Sequence, residues 1–516
     1  MRFLLMFFAA LALAAPLRAE WHEASSEHFV VYADDSARNV QTFAEMLERY
    51  HTAMTLLTGR EVETPSPSNR VTIFAVGNEN DVRRLVGGNA RNVAGFYIPR
   101  AGASRAFVPN IRISYGELDW SMIVLLHEYA HHFLISSSRY AMPRWLSEGS
   151  AEFFASASYG RDGSMMVGRP AAHRYGELAF AADVSVEELL DHELYEQRRG
   201  RRYDAFYGRS WALYHFLFFE PTRQGQLKRY VVDIMQGTPP RQAATDAFGD
   251  LGVLGRDLNR YLRRPRLLTF DLKPEMLPIG PVTVRKVSPG HAAALPQIIR
   301  SQRGVNDEQA ADILPRARAV AARFPDDAWA QAALAEAAFD AGEDDEAITA
   351  ADRAIALDPS ITNAYVQKGF ALFRKARDAE DRAAAYAAAM APFSALNQIE
   401  NDHPLPLIHH YRSYTERGRE PPESARHALE RASQLAPFDQ GLAMEVGLMQ
   451  ASEGKIEVAR YTLAPLAADP HGGSFADRVR MLVRALDRAE EGKPFDASSV
   501  LASYVEVDVP TDTAGE

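Results

Sequence analysis

The sequence predicts a mostly helical chain in two parts: an α+β region, then an all-α array of repeated helix pairs. Three observations carry this. Early runs rich in β-branched and aromatic residues, "HFVVYAD" (His28–Asp34) and "RVTIFAV" (Arg70–Val76), flank a helical pattern over Ala37–Leu57. From Glu117 to about Arg264 the apolar spacing is helical, broken at Pro143, Gly160 and Gly237. Beyond residue 300 a period sets in: Pro325 and Pro359 are 34 apart, Pro437 and Pro470 33 apart.

At the start, "MRFLLMFFAALALAAPLRAEWHE" has a lone Arg2 before an apolar run from Phe3 to Ala15, too short for a comfortable span. It reads as a signal peptide over residues 1–19, cleaved after Ala19, with an uncleaved anchor as the other reading. No further apolar run is long enough to cross a bilayer. The expected domain from 20 to 265 has an α/β part (20–115), with further strands at "VAGFYIP" and "RAFVPNI", and a helical part (116–265). Residues 266–299, rich in proline and partly β, read as a linker with short strands. The helical repeats occupy 300–491, and the acidic end, 492–516, reads as a flexible tail.

Within the repeats, "DAWAQAALAEAAFDAGEDDEAITAADRAIALDP" (Asp327–Pro359) places Gly342 between two helices, with Ala347, Ala351 and Ala354 on one face of the second. This resembles the tetratricopeptide repeat (TPR), whose small residues let neighbouring helices pack closely. Pro437–Pro470 is a second such unit with Gly454 at the turn. Two looser units lie between, and "AMAPFSALNQIENDHPLP" reads as an insertion.

Composition narrows the function. The 516 residues are 47% hydrophobic and 24% charged, ordinary for two or three globular domains. A net charge of -11 without a basic block argues against nucleic-acid binding. No cysteine is present, which removes disulfides, thiolate metal sites and cysteine nucleophiles. An exported chain without thiols suits a bacterial periplasm or secretion. Any metal must be held by His, Asp or Glu.

"LLHEYAHHFL" (Leu125–Leu134) contains H-E-x-x-H. On a helix, residues four apart share a face, so His127 and His131 can grip one ion, with Glu128 beside them as catalytic base. His132 falls too far round to join and reads as a flanking polar residue. A catalytic zinc usually takes three protein ligands. The next segment, "MPRWLSEGSAEFF" (Met142–Phe154), carries Glu148 and Glu152 on one face of a second helix that Pro143 would start. Its Gly149, Ser150 and Ala151 are small enough to let that helix approach the first closely.

"HEYAH" followed by "WLSEGSAEFF" resembles the gluzincin (thermolysin-like) metallopeptidases, and within them the peptidase-MA-like domains of bacterial exported proteins. The resemblance implies one Zn2+ held by His127, His131 and Glu148, with Glu152 orienting a zinc histidine from behind. It also implies Glu128 as general base and a tyrosine that donates to the oxyanion. "YDAFYGRSWALYHFL" (Tyr203–Leu217) aligns Tyr207 with that tyrosine, with Tyr203 as competitor. An edge strand that holds the substrate backbone is expected just before the motif helix, at "RAFVPNI". No G-x-M-E-N segment is found, so an endopeptidase is expected over an aminopeptidase.

Two functional readings follow. One is an exported zinc peptidase whose TPR repeats recruit a protein substrate or partner. The other is a TPR interaction protein or scaffold with a metal-binding but silent peptidase-like domain. Cell-wall peptide hydrolysis is a third possibility. Manganese or cobalt could occupy the same ligands in vitro. "GDLGVLG" (Gly249–Gly255) reads as a helix–helix loop, and His403, His409 and His410 as a solvated repeat surface in preference to a second metal site.

Overall fold

A computed structural model describes residues 20–60, 62–87, 93–198, 203–469 and 471–502. The expected signal segment lies outside the described residues, as does the end of the chain from 503. Strands β1 (Trp21–Ser25) and β2 (Phe29–Asp34), helix α1 (Ala37–Thr58), β3 (Val71–Ala75), α2 (Glu79–Val86), β4 (Phe96–Ile98) and β5 (Arg105–Val108) come first. The motif helix α3 (Trp120–Ser137) and α4 (Arg144–Ala155) follow, then a hairpin of β6 (Ser158–Tyr159) and β7 (Met165–Val167). Next come α5 (Tyr175–Phe180), α6 (Val186–Leu190), α7 (His192–Arg198), α8 (Phe206–Phe219), α9 (Gln226–Met235), α10 (Pro240–Phe248) and α11 (Leu251–Leu262). β8 (Phe270–Leu272) and β9 (Thr283–Lys286) lead into α12 (Pro289–Arg303) and α13 (Asp307–Arg323).

Helix pairs then repeat: α14 (Ala328–Asp340) with α15 (Asp344–Leu357), α16 (Thr362–Arg377) with α17 (Arg382–Ile399), α18 (Pro404–Thr415) with α19 (Glu423–Leu435), and α20 (Gln440–Ser452) with α21 (Ile456–Ala467). α22 (Gly473–Leu486) and the short α23 (Ser498–Ala502) end the described chain. It is mostly helical, with a small sheet region and a solenoid of helical repeats. Turn glycines Gly342 and Gly454 sit at φ 83° and 80°, a left-handed turn that a side chain would strain.

The main sheet has the order β4-β5-β3-β2-β1-β9. β2, β3 and β5 are parallel; β4, β1 and β9 pair antiparallel. Both faces are buried, which explains the unbroken apolar run of β2. Phe29, Val31 and Ala33 point to the side covered by α1 and α3. Val30 and Tyr32 point to the other, where Phe74 and Phe107 meet Leu295, Ile298 and Ile299 of α12 and Ala333 of α14.

Several expectations are corrected. "RAFVPNI" is not an edge: β5 lies between β4 and β3, and β4 is the edge. Residues 266–299 are not a free linker, because β9 pairs with β1, β8 pairs with β7, and α12 covers the sheet. The 158–167 hairpin interrupts the stretch expected to be helical. "AMAPFSALNQIENDHPLP" is no insertion; α17 runs through Pro392, and α18 begins at Pro404. Part of the expected tail packs down, with Phe495 and Leu501 against the last repeat. In "GDLGVLG", Gly249 makes the turn, but Gly252 and Gly255 lie inside α11.

His403 and His409 are not on a solvated surface. His403 caps α18 and is buried against Gly102; His409 is buried and stacks on Phe393, ring centroids 4.3 Å apart, with its Nδ1 2.9 Å from the Leu405 carbonyl. No helix among the described residues is long and apolar enough to cross a membrane.

These buried imidazoles make stability depend on pH. Burial pushes His51 and His291 down to about 3 and His215 and His409 down to about 4. The unfolded chain, with histidines near ~6.5, therefore binds more protons between those values, and stability falls as the pH drops from 6.5 towards 4. We predict a lower urea midpoint at pH 4.5 than at pH 7, and a shallower loss in His409→Phe, which keeps the stacking and removes one titrating group. Identical midpoints at both pH values would contradict this.

Candidate metal centre

Helix α3 begins at Asp119, whose carboxylate accepts from the Met122 N–H at 2.9 Å. One face, with Leu126, Ala130 and Phe133, is buried in the core, which leaves His127, Glu128 and His131 turned to a cavity. α4 packs against α3 and is pinned from behind. Its Trp145 is fully buried and donates from Nε1 to the Tyr230 hydroxyl at 3.1 Å.

Gly149 was expected to ease the approach to α3. It serves α8 instead: a Cβ there would lie 2.5 Å from the Ser210 carbonyl oxygen. That close contact sets the depth of α4, and with it Glu148.

Three ligand atoms converge. His127 Nε2 and His131 Nε2 are 3.1 Å apart, and Glu148 Oε2 lies 3.4 and 3.5 Å from them. Four donors about 2.0–2.1 Å from a tetrahedral zinc stand about 3.4 Å from one another, so the triangle has the right edges. Glu148 is 0% exposed, and neither carboxylate oxygen has a well-directed hydrogen bond. An acceptor-only group facing two imidazoles in a dry site is chemically suited to a cation. The same three residues are the one group of metal-ligating side chains found among the described residues. The donor set thus fits a zinc ion.

Around the triangle, each histidine has a partner behind it. Glu152 Oε1 lies 3.3 Å from His127 Nδ1, and Ser147 Oγ lies 3.2 Å from His131 Nδ1. Glu152 is in turn clamped: Arg174 donates from Nε at 3.0 Å and from a terminal nitrogen at 2.5 Å, and His173 Nε2 lies 2.5 Å from Oε2.

Electrostatics follow. Burial alone would raise the Glu148 carboxyl, but the imidazoles of His471, His131 and His127 outweigh it and hold it well below the usual range. Burial likewise opposes the ionised Glu152, and His127, His173 and Arg174 outweigh it. Against burial, those two carboxylates raise the pKa of His127.

The cavity beside this group has a volume of about 590 Å³. Glu128, Arg174 and Tyr207 line it, as do Gly95, Phe96 and Tyr97 at the β4 edge. Tyr207 lies under Arg174, whose guanidinium carbon is 4.6 Å from the ring centroid. Tyr203 is 69% exposed and points to Glu177, outside the cavity. His132, read as a flanking residue, lines the cavity wall, with its Nδ1 2.6 Å from the Tyr97 hydroxyl and its ring on Phe438.

Ser147, His173, Arg174 and His471 were not singled out in the sequence. "AAHRYG" and "DPHGG" carry no spacing that ties them to the motif. His471, in the turn between α21 and α22, has its Nε2 2.9 Å from Glu148 Oε1. Its ring meets that of His131 edge-on, with centroids 5.6 Å apart.

Comparison with known proteins gives little more. A family described as "Protein of unknown function (DUF1570)" matches residues 121–239, the stretch that holds the triangle, Glu152 and Tyr207. No curated protein matches. Among solved structures, the chain is similar to a thermophilic TPR protein of Thermus thermophilus, with 15% identity and a TM-score of 0.31, over 38% of this chain and 98% of that one.

Two substitutions test the construction of the site. Gly149→Ala forces a methyl into the Ser210 carbonyl, a cost of about 1–3 kcal/mol, and should lower the melting temperature. Glu152→Gln removes the charge behind His127 and should weaken zinc binding about 10–100-fold while the fold is retained. Unchanged affinity in a competition titration with a chelator would exclude the orienting role of Glu152.

Proposed function

We propose that the chain is an exported zinc-dependent peptidase, of gluzincin type, that hydrolyses internal peptide bonds. The carrying observation is the His127–His131–Glu148 triangle with Glu128 on the same cavity wall. His127, His131 and Glu148 would hold a zinc ion, which would supply Lewis acidity to the site. Glu128 then takes the proton of the attacking water and delivers it to the leaving amine nitrogen. On this reading Tyr207, which lines the cavity, donates its hydroxyl to the carbonyl oxygen as negative charge develops on it.

Glu152 and Ser147 hold the two imidazoles with Nε2 turned inward. The free edge of β4 borders the cavity and can pair with an extended substrate backbone. The helical repeats are read as tetratricopeptide-like, and their part in the activity is to contact the protein substrate.

Glu128→Gln is the deciding variant. It should keep about one zinc per chain by elemental analysis and lose at least a hundredfold in kcat on an unfolded protein substrate. His131→Ala should lose the metal itself. Cleavage that persists in metal-loaded Glu128→Gln would sink the assignment.

A further inference from the structure

The repeats do not stand apart from the cavity. Its floor is α3 and the β4 edge, and its opposite wall is the far end of the solenoid: the start of α20 and the turn that follows α21. Ile123, Val124 and Leu134 face it from one side, and Phe438, Pro465 and Leu466 from the other. His471 brings that wall to the metal-binding group, against Glu148.

Nor is the wall loosely attached. Glu400 accepts from the Ser68 N–H at 3.0 Å and its hydroxyl at 2.8 Å, and Asp439 accepts from the Ala101 N–H at 2.8 Å. Ala101 itself is buried in the apolar core of α18–α20. Four sequence-distant residues thus fasten the solenoid to the loops that flank β3 and β5.

We infer that the end of the repeat domain is a wall of the substrate site, and that Phe438 and Leu466 select a short unfolded peptide segment with bulky apolar side chains. This rests on the peptidase reading. A volume near 590 Å³ lies within the range of about 300–1,000 Å³ that encloses a ligand of a few residues, and a folded protein cannot enter it. The facing apolar side chains gain from a bulky hydrocarbon and cannot solvate a charge. Glu128, His127, His131 and Arg174 line the same cavity, so a peptide held by the apolar wall lies within reach of them; Gln440, Asp469 and Arg303 add polar groups to its lining.

The test uses the full chain, zinc-loaded, in the Glu128→Gln background, and reads binding by calorimetry. The probes are two capped tetrapeptides, one with Phe-Leu at its centre and one with Asp-Glu. The Phe-Leu peptide should bind at least tenfold tighter. Leu466→Ala and Phe438→Ala should each weaken it at least fivefold, and Leu466→Met should restore most of the affinity. Melting curves identify any variant that fails to fold, and the preference for Phe-Leu over Asp-Glu in Glu128→Gln alone then carries the test.

Equal affinity for both peptides, no binding of either, or full affinity in both alanine variants would overturn the inference. Wall-dependent binding in a protein whose unsubstituted form cleaves neither peptide would leave the wall standing and remove the peptidase reading instead.

Discussion

A fully buried carboxylate, Glu148, facing the imidazoles of His127, His131 and His471, is the constraint around which the first half of the chain is built. Taking an ionised Glu148 out of water costs several kcal/mol unless positive charge meets it. The polar groups that meet its two oxygens are imidazoles: His471 Nε2 at 2.9 Å from Oε1, and His127 and His131 Nε2 at 3.4 and 3.5 Å from Oε2. The surrounding elements exist to hold it there. Trp145 locks α4 to Tyr230, Gly149 lets α4 sink against Ser210, and α3 presents His127 and His131 one helical turn apart. A group placed at this expense is more simply read as a ligand than as a packing residue, since an apolar side chain would fill the space at lower cost.

The second half depends on the first through a shared core. α12 is both the cover of the sheet's second face and the neighbour of the first repeat pair, so the solenoid starts from a fixed base. Each later pair buries its face against the one before, which makes the path of the array additive. At its far end, residues at the start of α20 and around the end of α21 line the cavity. Glu400 and Asp439 then secure the returning end on the loops beside Ser68 and Ala101.

The local elements were legible because they obey periodicity. The span of α1 was read almost to the residue, and the repeat pairs were visible in their prolines and turn glycines. So were the three side chains that converge: His127 and His131 share a local motif, and Glu148 lies on the next helix. What failed was everything that needs partners distant in sequence. β5 looks like an edge strand until β4 pairs with it, and residues 266–299 look like a linker until β9 finds β1. His409 looks solvated beside His410 because nothing local announces Phe393. His173, Arg174 and His471 reach the site from 21 to 323 residues beyond Glu152 or Glu148, a distance at which spacing carries no signal.

That last residue changes how the two halves relate. A repeat domain that only recruits could sit anywhere a linker allowed, and its concave face would be its working surface. Here it is fixed to the sheet, and its His471 Nε2 stands 2.9 Å from the buried Glu148 carboxylate. A wall so close reduces the bulk water around Glu148, which is fully buried, and charge interactions strengthen as the local dielectric falls. On the proposed reading, Glu128, Tyr207 and Arg174 therefore act in a medium that the repeats help to make. Removing the solenoid would take away part of the catalytic environment as well as the binding surface. On that reading the two halves form one site, and the solenoid is part of it and not an adaptor on a linker.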